Sequence, residues 1–529
     1  MYECPNCAGN LKFHIGKQML HCEMCNTEMD PYAFSKEKDA EENEFFEVTV
    51  FTCPQCGGEL LSDDTTAATF CSYCGASTIL DSHLSKTKRP KRIIPFQKTK
   101  EECEEAYSKA VGAAFFAPKE LRGGGVIEKF RAIYMPYWVY SFENKEEIKF
   151  IGTQTVKEGE HTKTNVIHLK CNVDAEYSGI AFDASSAFSD QLSMAIAPYD
   201  INKAKPFTPS FLSGFYADIN DVEAIAYYDS AKEIMVEHAY NEMVKDSSFF
   251  GYELHQPRGR SSLCLALRPR KVEEELALLP VWFLSYRKDD RVAYGVVNGQ
   301  TGKVAVDLPI DMRRFFTGSL LLSIPIILFL NLFCQVAPAA MLVITALLAS
   351  ICAVFAHIQT THIMLKESYE DRLLEGVEKK QAKGRRRLIS ELISMVLLMG
   401  FSFFEVAFMI VSSFPKVGLR FMGIIGLVYL AYLGIDIYQK RIVRDMTNTN
   451  LVLYEEMWQK KLQTMIKPVV AILIASLLLL WCPASTMFYY LGAVLCMVVI
   501  VLVIVDVIKG HNILTTKPLK QFEKRGGDM

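Results

Sequence analysis

Apolar and polar residues are distributed unevenly along the 529-residue chain. Residues 1–312 carry most of the charge, whereas residues 315–508 contain long apolar runs. An α-helix needs roughly 20 apolar residues to cross a bilayer. The runs that reach or approach this length are 315–334, 339–358, 388–413, 417–438, 468–482 and 486–508. The pattern therefore predicts a six-helix α-helical membrane domain.

Basic residues cluster on one side of these predicted spans. The loops over 359–387 and 439–467 contain eight and six Lys or Arg residues. The opposite connections offer only Lys416 and the nearby Arg420. Because loops rich in Lys and Arg stay in the cytoplasm, we expect a multi-pass protein of the cell membrane with both termini cytoplasmic.

The charged half of the chain contains two similar segments, 133–142 and 278–286. Each includes a Pro-x-Trp sequence and contains aromatic and β-branched residues with a period of two. Such alternation predicts strands, and charged residues follow both, so we expect each strand to enter a hairpin. The repeated segment indicates an internal duplication within this part of the chain.

Helix signals accompany these strands. Thr99 and Glu102 form a capping box, which predicts that a helix begins there. An amphipathic pattern over 221–245 predicts a second helix between the two similar segments. The mixture predicts a cytosolic α+β domain over 99–312.

Cysteines give the chain its strongest chemical signal. Eight of the 15 lie in four C-x-x-C pairs, and each cysteine of the first two pairs recurs 49 residues later. The two sets are Cys4, Cys7, Cys22 and Cys25, then Cys53, Cys56, Cys71 and Cys74. Fourteen residues separate the pairs in each set, enough for a hairpin that brings four thiolates around one ion. We therefore predict two tandem zinc ribbons that bind two Zn²⁺ ions.

Each predicted zinc ion has four protein ligands, which leaves no coordination position for water. The ions are therefore expected to be structural rather than catalytic. The start of the chain has neither a basic nor an apolar signal region, so we expect a reducing compartment in which thiols bind metal. A matched double set disfavours the alternative of redox pairs.

The complete prediction is a multidomain chain. Its parts are zinc ribbon 1 (1–30), an acidic connector (31–49), zinc ribbon 2 (50–80), a basic linker (81–98), the α+β domain (99–312), the membrane domain (313–508) and a cytosolic tail (509–529). Within the linker, the basic run 86–92 fits either a solvated segment or a strip that contacts anionic lipid headgroups.

The charge of the ribbons bears on their partner. Residues 1–80 contain four Lys or Arg and thirteen Asp or Glu, a balance of 4 − 13 = −9. A surface that binds phosphate needs positive charge, so nucleic acid is an unfavourable partner. A protein partner fits better.

Several short motifs occur together over residues 50–312. They are Cys-Pro-x-Cys-Gly (53–57), Cys-Ser-Tyr-Cys-Gly (71–75), Ile-Pro-Phe (94–96), Phe-Phe-Ala-Pro (115–118), Met-Pro-Tyr-Trp (135–138), Leu-Ser-Gly-Phe (212–215), Leu-Pro-Val-Trp (279–282) and Asn-Gly-Gln-Thr-Gly (298–302). As an ensemble they resemble the bacterial double zinc-ribbon membrane proteins, also described as TFIIB-type zinc-ribbon or primosomal-helicase-like proteins. The resemblance implies a membrane partner of SPFH (flotillin-like) proteins in membrane organisation or envelope stress. It implies no catalytic activity, and the chain has no ATPase motif that would fit the helicase label.

Three functions follow as hypotheses. The first is a non-enzymatic scaffold that the membrane anchors and that recruits a cytosolic or peripheral protein, because no catalytic motif occurs in the sequence. The second is a transporter or channel, in which Glu405 serves transport rather than helix packing. The third is a membrane-tethered nucleic-acid binder. The sequence leaves the oligomeric state open.

Overall fold

The computed structural model describes residues 2–33, 45–62, 71–74, 81–122, 130–158, 161–186, 188–245, 253–255, 271–288, 291–333, 336–370, 420, 424, 427 and 451–518. These residues form two compact units. The described residues up to Asp307, apart from Phe115–Pro118, belong to a sheet-rich unit. Phe115–Pro118 and Leu308–Lys517 form a helical unit.

The sheet-rich unit consists mainly of antiparallel strands. They are β1 (Leu11–His14), β2 (Met19–Cys22), β3 (Glu28–Met29), β4 (Phe45–Thr52), β5 (Glu59–Ser62), β6 (Asp81–Lys88), β7 (Arg92–Ile93), β8 (Arg131–Glu158), β9 (His161–Asp183), β10 (Lys205–Pro206), β11 (Tyr216–Asp218), β12 (Glu253–His255), β13 (Lys271–Lys288), β14 (Arg291–Asn298) and β15 (Val304–Val306). Strands β1, β2 and β3 form a small separate sheet. The large sheet has the order β10-β7-β13-β8-β11-β5-β4-β6, with β9 and β12 on β8 and β14 on β13.

The two Pro-x-Trp segments are strands, as predicted, and they lie side by side. Strand β8 pairs with β13 from Arg131 opposite Phe283 to Glu143 opposite Lys271. Met135 and Leu279, which directly precede the two prolines, are opposite one another. The duplicated segments are therefore related by a local pseudo-two-fold axis. Each then continues into a hairpin, β8 with β9 and β13 with β14.

The prolines occupy equivalent places in these hairpins. Pairing of β8 with β9 ends at Tyr137 opposite Asp183, and the Pro136 carbonyl accepts the next hydrogen bond from Ala184 N at 2.8 Å. The Pro280 carbonyl likewise accepts from Gly299 N at 2.9 Å. Proline lacks an N–H to donate to a neighbouring strand. Its position where each hairpin partner leaves avoids the loss of a ladder hydrogen bond.

Helices cover this sheet where the sequence predicts them. Helix α1 (Lys100–Ala113) begins with the capping box of Thr99 and Glu102. A short helix α2 (Asp190–Ile196) follows, and the predicted amphipathic helix is α3 (Tyr228–Lys245). Helix α3 buries Ala231, Met235, Val236 and Ala239 against aromatic residues of β8. These contacts place one layer of helix on the long hairpin.

The helical unit contains α4 (Met312–Phe333), α5 (Pro338–Glu370), α6 (Leu451–Trp481) and α7 (Thr486–Leu514). Helices α5, α6 and α7 share a core that includes Leu342, Ala471 and Cys496. Gly492 allows the close approach, because an added Cβ would lie 2.9 Å from Leu342 and from Leu478. Small residues at helix contacts are typical of packing in membranes.

The predicted six-helix membrane domain is wrong. Among the described residues, two helices are long and apolar enough to cross a bilayer, within Met312–Phe329 and Thr486–Leu514. The apolar parts of α5 and α6 are too short for this. They are Pro338–Ala353 and Ile466–Trp481, each within the range of 10–17 residues. The predicted spans over 388–413 and 417–438 lie outside the described residues, apart from helical positions 420, 424 and 427.

The physical reason is that a helix can contain an apolar segment that is too short to cross a bilayer. Helix α5 continues past its apolar part into a segment with Lys366, Glu367 and Glu370, and α6 begins with a segment that includes Glu455 and Lys460. Both helices are long, yet their uninterrupted apolar parts are shorter than the ~20 residues a span requires. Among the described helices, run counting in the sequence overestimated the number of spans.

The capping box supplies a test of the local structure. Glu102 N donates to Thr99 Oγ1, and Thr99 N donates to Glu102 Oε2 at 2.9 Å. We expect Thr99→Ala to lower the free energy of unfolding by about 1 kcal/mol, because the Glu102 N–H in the first turn loses its hydrogen-bond acceptor. Urea unfolding of the detergent-solubilised chain measures this change. Ser108→Ala, at an exposed position of the same helix, is the control, and an equal effect there would contradict the capping role.

Candidate metal centres

The first cysteine pair of each ribbon forms a tight knuckle with the same backbone hydrogen bonds. In ribbon 1, Cys4 N donates to the Gly9 carbonyl at 2.7 Å, and Ala8 N donates to the Cys4 carbonyl at 2.8 Å. Gly57, which is equivalent to Ala8 after the 49-residue shift, donates to the Cys53 carbonyl at 2.7 Å. Both residues have positive φ, 56° at Ala8 and 74° at Gly57. The duplication of sequence is therefore a duplication of local geometry.

A hairpin brings the second knuckle of ribbon 1 to the first. Strands β1 and β2 pair with Leu11 opposite Cys22, so the chain returns directly to the start of the ribbon. The Sγ atoms of Cys4 and Cys25 are 3.5 Å apart, and those of Cys7 and Cys22 are 3.4 Å apart. All four predicted ligands of this first cluster are thus brought together.

The second cluster has the separations that a tetrahedral zinc site requires. The Sγ atoms of Cys53 and Cys74 are 3.8 Å apart, and those of Cys56 and Cys71 are 3.7 Å apart. Four thiolates at ~2.3 Å from a central Zn²⁺ would lie about 3.8 Å from one another. In each cluster all ligand atoms are within 4.8 Å of one another. Both groups could hold a metal ion, and four thiolates are consistent with zinc.

Local hydrogen bonds shift the pKa values of the cysteine thiols in both directions, and they favour the thiolate form at Cys25 and Cys53. The Thr27 hydroxyl, 3.0 Å from Cys25 Sγ, lowers the pKa of Cys25 to about 6. The thiol of Cys71 lowers the pKa of Cys53 to about 6, whereas contact with Cys53 raises the pKa of Cys71 itself. A metal ion would replace the protons that the remaining thiols hold.

The two clusters differ in their surroundings. Cys7 and Cys25 of the first cluster are exposed, whereas every cysteine of the second is buried. The second cluster lies in the main hydrophobic core, together with Phe283 and Tyr294. Strand β5 of ribbon 2 pairs with β11, with Leu60 opposite Asp218. Ribbon 2 is therefore an integral part of the large sheet.

Tyr73, between two ligands of the second cluster, ties the metal centre to that sheet. Its ring lies 6.2 Å from the ring of Phe283, and its carbonyl accepts a hydrogen bond from Tyr294 Oη at 3.0 Å. Gly58 leaves room for this ring, because a Cβ there would lie 2.6 Å from Tyr73. Displacement of the knuckle would disturb β13 and β14 directly.

Ribbon 1 docks on a segment that follows β10. Phe13 N donates to the Ser213 carbonyl at 3.0 Å, and Ser213 Oγ donates to the Leu11 carbonyl at 2.6 Å. The Phe13 ring lies 5.3 Å from Phe211, and Tyr32 Oη donates to the Pro206 carbonyl at 2.9 Å. Residue spacing did not predict this contact. The one signal was the Leu-Ser-Gly-Phe motif at 212–215, which contributes Ser213.

A buried carboxyl lies beside ribbon 2. Asp218 accepts hydrogen bonds from the Ser185 hydroxyl and, at 2.9 Å, from Ile219 N. Burial raises the pKa of Asp218 to about 7, and these hydrogen bonds oppose that shift only partly. Glu405, the ionisable residue predicted from the membrane segment, lies outside the described residues.

Comparison with known proteins gives one informative relative. The chain is 28% identical over 317 residues to the uncharacterized protein YdjG of Bacillus subtilis (strain 168). The match covers 59% of this chain and 91% of the relative. No family model matches the chain, and no solved structure matches it.

The unequal exposure of the clusters predicts two rates of metal release. From the metal-loaded chain, a chelator should remove one equivalent at least about tenfold faster than the other, because release from the second cluster requires the core to open. Cys25→Ser should abolish the fast phase alone, as measured with a metallochromic dye and elemental analysis. A single rate for both equivalents, or a persistent fast phase in the variant, would contradict this assignment.

Asp218 predicts a pH dependence of stability. Its folded-state pKa of about 7 exceeds the unfolded value of about 3.9, so the folded chain keeps a proton that the unfolded chain has lost. The free energy of unfolding should therefore fall as pH rises towards about 7, then become independent of this group. Urea unfolding between about pH 6 and about pH 8 should show this slope, and Asp218→Asn should remove it. Asp229→Asn, at an exposed carboxyl, should leave the slope unchanged.

Proposed function

We propose that this protein is a non-enzymatic, membrane-anchored scaffold that recruits a cytosolic or peripheral protein. The observation that carries the proposal is the closed ligand set of both cysteine clusters. Each offers four thiolates to one ion, which leaves no coordination position for substrate or water. Two structural Zn²⁺ ions fit these sites, and their role is to hold the ribbons in shape.

The anchor in this proposal is the helical unit. Arg313 and Arg314 lie at the start of α4, and Lys509 lies near the end of α7. Basic residues at the start of one candidate span and the end of another support a multi-pass protein of the cell membrane. Both ends of the helical unit then face the cytoplasm, where thiols remain reduced and can bind zinc.

The recruiting surface in this proposal is the tip of ribbon 1, formed by residues 5–8 and 23–26. Every residue of the tip is exposed, and the Met24 side chain is 80% exposed. Met24 is next to Glu23, within an N-terminal region whose net charge is −9. An exposed methionine beside acidic residues suits a partner with an apolar pocket and a basic rim. The resemblance to double zinc-ribbon proteins makes an SPFH (flotillin-like) protein our candidate for that partner.

Affinity purification from detergent-solubilised membranes tests this surface. We expect the wild-type chain to recover an SPFH-like protein, identified by mass spectrometry, and Met24→Glu to reduce that recovery at least about tenfold, because a charge would enter the apolar centre of the interface. Met194→Glu is the matched control, since Met194 is 57% exposed on α2.

The outcomes separate docking from folding. Substitution of Cys53 or Cys56 would remove core packing together with a metal ligand, whereas Met24 packs at the surface. Recovery that Met24→Glu leaves unchanged, or recovery that both methionine variants reduce equally, would contradict a recruiting role for the tip.

A further inference from the structure

Strand β9 has the longest edge without a partner strand among the described strands. Strand β9 runs from His161 to Asp183, and among the described strands it pairs only with β8. An exposed edge presents a row of backbone N–H and C=O groups to any strand of matching length. Natural proteins usually protect such an edge with charged side chains. The pattern of charge along β9 therefore determines whether a second strand is repelled or is held in one register.

The charges of β9 are divided between its two halves. The half before Asn172 contains His161, Lys163, His168 and Lys170, and the half after it contains Asp174 and Glu176, all exposed. Scattered charges of one sign would repel a second copy of the strand. A basic half followed by an acidic half is instead complementary to itself in antiparallel orientation.

We propose that β9 pairs antiparallel with β9 of a second copy of this chain, around a two-fold axis at Asn172. Asn172 is the midpoint of His161–Asp183, so this register gives the longest overlap. It places Lys170 opposite Asp174 of the second copy, and His168 opposite Glu176. Opposite charges directly across two strands stabilise pairing, and like charges destabilise it.

The side chains that would meet lie on the solvent-facing side of the strand. His168, Lys170, Asn172, Asp174 and Glu176 are all exposed, and the alternate residues from 171 to 177 are buried or half-buried. On that inner side, Ile167 would lie opposite Tyr177 of the second copy, an apolar pair of the kind that stabilises sheets. Both faces of the strand are therefore compatible with this register.

Ion pairs within one chain extend the charge pattern across the proposed interface. Asp174 already pairs with Lys145 of β8 at 3.0 Å, and Lys170 pairs with Glu147 at 3.1 Å. In the proposed dimer these residues form a row of alternating sign across four strands: Lys145, Asp174, then Lys170 and Glu147 of the second copy. Every neighbour in this row is a charge of opposite sign.

A charge-swap experiment on the detergent-solubilised full chain tests this register. In Lys170→Glu, both symmetry-related pairs become acid against acid, and in Asp174→Lys both become base against base. We expect each variant alone to self-associate about tenfold more weakly than wild type. When the two variants are co-expressed with different tags, both pairs are again of opposite sign. Co-purification of the two tags should then return to the wild-type level.

The control separates the pairs across the interface from a change of charge elsewhere on the same face of the sheet. Lys149→Glu makes the same charge change on the exposed face of β8, opposite Lys170 in the hairpin, and should leave self-association unchanged. A monomeric wild-type chain, single variants that associate like wild type, or a mixture as weak as its components would each overturn the proposal. The first of these outcomes would point to a strand of another protein as the occupant of this edge.

Discussion

Two strands with the same Pro-x-Trp segment lie antiparallel at the centre of the sheet-rich unit, and Met135 meets its equivalent Leu279 at the local axis. The neighbouring strands depend on this pairing for their places. Strand β11 adds to β8 through Tyr216 opposite Ile133 and then carries β5 of ribbon 2. Strand β7 adds to β13 and leads to Phe96, whose ring lies 5.4 Å from Trp282. The burial of the second metal cluster is therefore a consequence of the β8–β13 pairing.

Features that depend on neighbouring residues could be predicted from the sequence. The ligand sets follow from C-x-x-C spacing, the start of α1 from Thr99 and Glu102, and the two strands from alternating residues. The place of ribbon 2 in the sheet could not be predicted, because Leu60 pairs with Asp218 across a long stretch of chain that contains no matching signal. The docking of ribbon 1 on Ser213 has the same long-range character.

The helical unit shows a different limit of sequence reasoning. Four of the six predicted apolar segments lie in described helices, but only two of the described helices have the length and composition of a membrane span. A bilayer selects for uninterrupted apolar length, whereas helix packing requires only that the contact face be small and apolar. Gly492 and Cys496 satisfy the packing requirement in α7. Apolar composition alone therefore identifies a helix without establishing that it crosses the bilayer.

Equal cysteine spacing in the two ribbons leads to unequal physical roles because their surroundings differ. The second cluster shares its core with Phe283 and Tyr294 of the central strands, so binding of metal there is coupled to folding of the large sheet. The first cluster belongs to ribbon 1, which packs against Phe211 through Phe13 and leaves its tip exposed. Loss of metal from the first cluster would alter a surface, whereas loss from the second would remove part of a core. Because each cluster consists of four cysteines at the same spacing, this difference arises from the β5–β11 pairing rather than from the chemistry of the sites.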